Sequence, residues 1–116
     1  MHFIDPDVCR VGGTFTDREI AALAKTYQVA ISPHYYNSTV LGFDATLRRA
    51  AGMTNFILEE YFVPSTEEGR KLAVQLEAKD SYLQLPTRPG LGVEIDEETL
   101  SEYSYRQYPL ASRFSP

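Results

Sequence analysis

The chain has 116 residues, an apolar fraction of 43% and a formal net charge of −5, which fits one ordinary folded domain with enough bulk for a core. Its 11 Lys and Arg residues form no cluster that would neutralise phosphates, so nucleic-acid binding is not expected. Cys9 is the single cysteine, so an internal disulfide is excluded; no apolar run approaches roughly 18 residues and the first residues have no signal-peptide pattern, so no membrane partner and a cytoplasmic setting are expected.

Met1 to Val11, with Phe3, Ile4, Val8 and Val11 around Pro6-Asp7, reads as a short strand, punctuated by Gly12-Gly13. Thr16-Asp17-Arg18-Glu19 carries the capping-box pattern, in which a Thr side chain and the acid three residues on satisfy each other's free backbone N–H groups. A helix over 17–27 is predicted, with Ile20, Leu23, Ala24 and Tyr27 as the apolar stripe facing the sheet. Strand 29–32 follows, then the Pro33-His34 turn. Asn37-Ser38-Thr39 matches the glycosylation sequon, which needs a secretory route to be used.

Phe43, Leu47, Ala50 and Ala51 recur at helical spacing, and Gly52 stops that helix. Phe56 to Phe62 reads as a strand whose unbroken apolar opening suits burial on both faces. Beyond Pro64 two readings stand side by side. Ser65-Thr66-Glu67-Glu68 caps a helical turn, or Leu72, Val74, Leu83 and Leu85 belong to strands paired across Lys79-Asp80. Pro86 to Gly92 is a loop, and Asp96 starts a short terminal helix carrying Leu100 and Tyr103.

In strand-helix-strand order the strands run parallel and their C-terminal ends share one edge. Asp7, His34 and Glu60 stand at such ends, 27 and 26 residues apart, about one strand, one helix and two loops each. A histidine beside a carboxylate is a general base, since the carboxylate fixes the imidazole tautomer and stabilises its protonated form. The simpler reading is a histidine that hydrogen-bonds its own turn, an Asp7 that serves the Pro-Asp turn and a solvated Glu60, for which Glu59 competes. Asp7 and His34 are expected within hydrogen-bond reach or one water apart. The acids offer no convincing metal site: those at Asp96-Glu97-Glu98 suffice as helix caps.

Four motifs in order, Pro6-Asp7-Val8-Cys9-Arg10-Val11-Gly12-Gly13, Pro33-His34-Tyr35-Tyr36-Asn37-Ser38, Glu60-Tyr61-Phe62 and Pro89-Gly90-Leu91-Gly92-Val93-Glu94-Ile95-Asp96, carry a resemblance over nearly the whole chain. It resembles the C-terminal part of the mandelate racemase and muconate lactonizing enzyme branch of the enolase superfamily, nearest the sugar-acid dehydratases of the galactonate dehydratase kind. The resemblance implies an α/β fold: about three βα units of a (β/α)7β TIM-like barrel over residues 1–64, roughly its sixth to eighth strands. It also implies a C-terminal segment, 65–116, that packs on a capping domain.

The resemblance implies further that His34 is the general acid/base, Asp7 its dyad partner and Glu60 the acid that hydrogen-bonds an enolate. The substrate would be a sugar acid losing the proton next to its carboxylate. Magnesium is the family's cofactor, but its ligands and the opposing lysine base lie on earlier strands, so this chain alone is expected to bind none. An eight-stranded barrel needs about 250 residues. The chain is therefore expected to be inactive by itself, a truncated relic, a partial reading frame or one half of a split protein. Racemase or epimerase chemistry of the same superfamily is the alternative. A second is a non-catalytic fragment that self-associates or pairs with a complementary barrel fragment, because an open parallel sheet leaves its edges unpaired.

Overall fold

The structure, a computed structural model, describes residues 2–35, 38–61 and 76–103. Two short parallel strands, β1 (Phe3–Ile4) and β2 (Ala30–Ile31), flank helix α1 (Thr14–Thr26) in sequence, and helix α2 (Val40–Ala51) follows β2. Helix α3 (Glu97–Ser101) closes the described chain.

β2 is the middle of the sheet. Its even-numbered N–H groups point to one neighbour and its odd-numbered ones to the other, as the strand pleat requires. On the β1 side Ala30 N–H donates to His2 O (3.0 Å), Ser32 N–H to Ile4 O (3.1 Å) and His34 N–H to Pro6 O (3.0 Å). On the other side Ile31 N–H donates to Asn55 O and Ile57 N–H to Ile31 O, and Ile31 and Phe56 form a parallel bridge. The parallel order expected from the sequence is present, but the strands are shorter than expected. β1 ends at Ile4 because Pro6 has no N–H to extend the ladder and Asp7 O turns back to accept from Arg10 and Val11 N–H. The expected strand 56–62 contributes a single bridge residue before Phe62, which lies outside the described residues.

α1 begins three residues earlier than expected, at Thr14. Its N-cap is Gly13 at φ 97°, a conformation that favours glycine, and no side chain caps it, so the Thr16 box is not used. The buried face also differs from the expected stripe. Asp17, Ala21 and Ala24 are buried, whereas Leu23 and Tyr27 are 62% and 74% exposed. Small residues let the helix approach Ile31, which has no exposed surface, and Val29 and Met53 pack on that cluster. The helix's phase is thus set by close approach and by the Asp17–Arg49 pair, not by its largest apolar side chains.

α2 follows its sequence closely. Phe43, Leu47 and Ala50 are buried, Ala51 is exposed, and Gly52 caps the end. Tyr35 packs on Phe43 at a ring-centroid distance of 4.8 Å, and Tyr61 meets the same Phe43 edge-on at 5.5 Å.

Lys79 and Tyr82 exchange both backbone hydrogen bonds, and Asp80 and Ser81 between them have φ of 51° and 65°. Two successive positive φ values mark the hairpin turn that matches the natural strand twist. Of the expected strand pair the described residues show this turn and one bridge, Lys79 with Tyr82, while Leu83 and Leu85 belong to no strand; Leu72, Val74 and the 65–68 turn lie outside the described residues. The 86–92 loop docks on α2 through Arg48, whose guanidinium donates to Arg88 O (2.7 Å) and Leu91 O (3.3 Å). Asp96 caps α3 by accepting from Thr99 N–H, which holds its carboxyl below the usual range.

Candidate active site

Pro33 decides where the site begins. It lacks the N–H that an odd-numbered residue of β2 would give to the 55–60 segment, so the ladder stops on that side. The next odd N–H, that of Tyr35, donates instead to the Glu60 side chain, at 2.9 Å from Oε2. The same Oε2 lies 2.6 Å from Nδ1 of His34. One carboxylate oxygen thus joins the backbone and the side chain of consecutive residues at the end of β2. Both side chains are partly open to solvent, 39% for His34 and 47% for Glu60.

Asp7 reaches the same edge from β1. The bond from His34 N–H to Pro6 O sets the two strand ends side by side, and Asp7 is buried. Its Oδ1 accepts from Cys9 N–H at 2.8 Å, the turn geometry that Pro-Asp favours, and its Oδ2 faces Arg10 Nε at 3.6 Å. The three sequence-selected residues therefore share the C-terminal edge, and the carboxylate placed 2.6 Å from the imidazole is that of Glu60.

Glu59 and Glu60 separate cleanly. Glu60 meets His34, while both carboxylate oxygens of Glu59 lie on the protein side, shielded from solvent. Both Glu59 carboxylate oxygens are buried without a hydrogen-bond partner. Burial, then the charges of Glu60 and Asp17, push its carboxyl from the usual 4.5 up to about 8. Glu59 is thus a neutral acid at neutral pH, which the sequence pair Glu-Glu did not disclose.

Asp44 on α2 was not singled out in the sequence either. It is buried with both carboxylate oxygens unpartnered, and burial lifts it to about 6 against the opposing pull of Arg48. The Tyr35 hydroxyl, which donates to Ser38 O at 3.3 Å, is raised by its own burial and then by Asp44, Cys9 and Tyr61. Buried helix positions held by an acid are visible only once the helix phase is known.

Among the described residues no three His, Cys, Asp or Glu side chains are grouped to hold a metal ion. The carboxylates of Glu60 and Asp7 are already engaged, by Tyr35 N–H and the imidazole for Glu60 and by Cys9 N–H for Asp7. These residues do not by themselves fit a magnesium ion, although that ion is typical of the family this chain joins. No helix among the described residues is long and apolar enough to cross a membrane.

A parallel sheet backed by helices, with a histidine and carboxylates on its C-terminal edge, is the arrangement of α/β barrel enzymes, whose sites lie at that edge. The chain belongs to the enolase C-terminal domain-like family, whose model matches residues 1–99. It is 32% identical over 118 residues to a D-galactonate dehydratase family member of Streptomyces bingchenggensis, covering 97% of this chain and 28% of that protein. It is also 32% identical to the D-galactarolactone cycloisomerase of Agrobacterium fabrum, covering 89% of this chain and 29% of the relative.

Among solved structures, an enolase superfamily member from Polaromonas sp. superposes with a TM-score of 0.81 at 29% identity, over 94% of this chain and 29% of that one. A putative galactarate dehydratase from Agrobacterium radiobacter, bound to sodium and L-malate, superposes with a TM-score of 0.77 at 33% identity, over 96% of this chain and 32% of that one. The chain spans less than a third of the length of these relatives.

Proposed function

We propose that this chain forms the C-terminal part of a sugar-acid dehydratase barrel, in which His34 moves the proton next to a substrate carboxylate and Asp7 and Glu60 hold and tune it. The observation that carries this reading is the single Glu60 oxygen shared by His34 Nδ1 (2.6 Å) and Tyr35 N–H (2.9 Å), beside the Pro6-Asp7 strand end. In this reading residues 65–116 are the segment that packs on a capping domain.

A carboxylate at Nδ1 keeps the neutral ring's proton on that nitrogen, so Nε2 carries the basic lone pair. The imidazole takes the α-proton and the electron pair of the broken C–H bond passes into the substrate carboxylate as an enolate. Collapse of the enolate expels hydroxide from the neighbouring carbon; the same imidazolium returns a proton to it as water departs. Tyr35 N–H keeps Glu60 in place, and Asp7 stands at the neighbouring strand end with its Oδ1 held by Cys9 N–H. Delivery of a proton to the opposite face of the enolate, by a base outside the residues named here and without water loss, is racemisation, the alternative that shares His34 as the group that removes the α-proton.

The chain by itself is inactive in this reading: among the described residues no carboxylates are grouped to hold the family's metal. The test is an assay of the 116-residue polypeptide with magnesium against a panel of sugar acids, beside His34→Ala. No turnover above the variant is expected, and turnover above it overturns the claim of inactivity. Adding the complementary part of the Streptomyces relative's barrel should restore water loss, or α-proton exchange in deuterated water, only with His34 present. Equal restoration by His34→Ala would refute the role of His34.

A second reading is favoured by the exposed sheet edges. Phe3 and Ile4 on one edge are 57% and 40% exposed, and Ile57 and Leu58 on the other are 39% and 55%. Such edges support assembly with another copy or with a complementary barrel fragment. Light scattering separates these outcomes: a monomer at high concentration that gains mass only with the added fragment excludes self-association.

A further inference from the structure

We propose that the cleft between α1 and the end of α2 is a binding site for a small oxyanion of the phosphate or carboxylate class, lined by none of Asp7, His34 and Glu60. The cleft has a volume of about 230 Å³ and three cations line it, Arg18 and Lys25 from α1 and Arg49 from α2. In a chain with 16 acids and 11 bases, such a concentration of positive charge has no compositional origin.

Its counter-charge is small. Asp17 lies 3.4 Å from Arg49 Nε, and among the described residues it is the one carboxylate paired with the three cations. That one carboxylate faces three cations, so the cleft keeps a net positive charge. Arg18 and Lys25 have no ion-pair partner among the described residues. The space between the cations is open because Ala21, Ala22 and Gly52 line its walls.

Two features orient the cleft. Arg18 and Lys25 are seven residues apart, about two helical turns, so they stand on one face of α1 about 10 Å apart along its axis. Arg49 approaches from the other side with a side chain only 19% exposed, and a guanidinium held this way offers its paired N–H groups to a carboxylate or phosphate. The bland role for Lys25 and Arg49 is to complement the C-terminal dipoles of their helices. That role does not extend to Arg18, which stands in the first turns of α1, where a cation is disfavoured by the same dipole. Its place there is accounted for by the shared cleft.

The probe is inorganic phosphate, titrated into the 116-residue chain against sodium chloride of matched ionic strength, with amide shifts followed by NMR. Saturable shifts at Ala22, Lys25, Gly52 and Thr54 that chloride does not reproduce are expected, with at least a tenfold loss of affinity in Arg18→Gln/Lys25→Gln. Both replaced residues are exposed, and Lys25→Arg should retain binding. L-malate in a parallel titration tells a carboxylate preference from a phosphate one. Identical responses to chloride and phosphate, or unchanged affinity in the double variant, overturn the proposal.

Discussion

Oε2 of Glu60 sits 2.6 Å from Nδ1 of His34 and accepts from Tyr35 N–H at 2.9 Å, so one atom ties the His34 side chain to the backbone that follows it. The tie follows from Pro33: without a proline there, the sheet ladder would continue and leave the carboxylate free of this task. Tyr35 is buried, so its N–H has no water to turn to if the acceptor is lost. Glu60→Ala should destabilise the chain by about 1–2 kcal/mol in urea unfolding. Glu60→Gln keeps an acceptor oxygen and should lose less than half of that. Equal losses from both would show that the charge, and not the bond to Tyr35, matters.

Glu59 makes stability depend on pH. Its folded carboxyl is raised from 4.5 to about 8, so the folded state holds a proton that the unfolded state releases. Stability from this group is complete below the unfolded value, declines as pH rises from there, and is fully lost above about 8. Glu59→Gln is neutral at every pH and should flatten the curve. Thermal melts at about pH 6 and about pH 8.5 should differ by on the order of 2 kcal/mol in the native chain and by much less in the variant. Asp44, raised to about 6, adds the same sign of dependence at the acidic end.

The Asp17–Arg49 pair joins α1 to α2 with side chains 3% and 19% exposed. Burial raises Asp17 more than Arg49 lowers it, so the pair holds a desolvated acid that depends on its partner. Arg49→Met should cost about 3 kcal/mol, because it strands a buried carboxylate. Combining it with Asp17→Leu should recover most of that loss. A double variant as unstable as the sum of the single ones, measured by denaturant titration, would mean that the two side chains do not act as a pair.

Gly92 has φ of 79°, and a Cβ placed on it would lie 2.5 Å from Pro86 Cβ and 2.6 Å from an Arg48 terminal nitrogen. The loop can dock on α2 only because that position is bare. Gly92→Ala should cost about 1–3 kcal/mol and release Arg48 from the Arg88 and Leu91 carbonyls. Faster amide exchange in residues 88–94, with α1 unchanged, is the signature to look for. Uniform destabilisation without local exchange would contradict the docking role.

The sequence by itself determined the family, the order of the first two strands and two helices, and which residues stand at strand ends, whereas its strand over 56–62 is a single bridge residue, Phe56, and the stretch beyond Pro64 was open to two readings. A proline, a glycine or a run of apolar residues acts on its own backbone wherever it lies, so Pro33, Gly52 and the Asp96 cap were readable locally. The spacing between Asp7, His34 and Glu60 placed them on one edge because a strand, a helix and two loops have a nearly fixed length. The tertiary structure decided what each side chain touches. Helix phase is fixed by what packs against the helix, so the buried face of α1 became Asp17, Ala21 and Ala24 in place of the more apolar Leu23 and Tyr27. The packing of the segment after Phe56 decided between two adjacent glutamates, bringing Glu60 to His34 and shielding both Glu59 carboxylate oxygens, which pushes that carboxyl up to about 8. Neither choice is encoded in one residue type: burial and charge are properties of a place, and places exist only after the chain has folded.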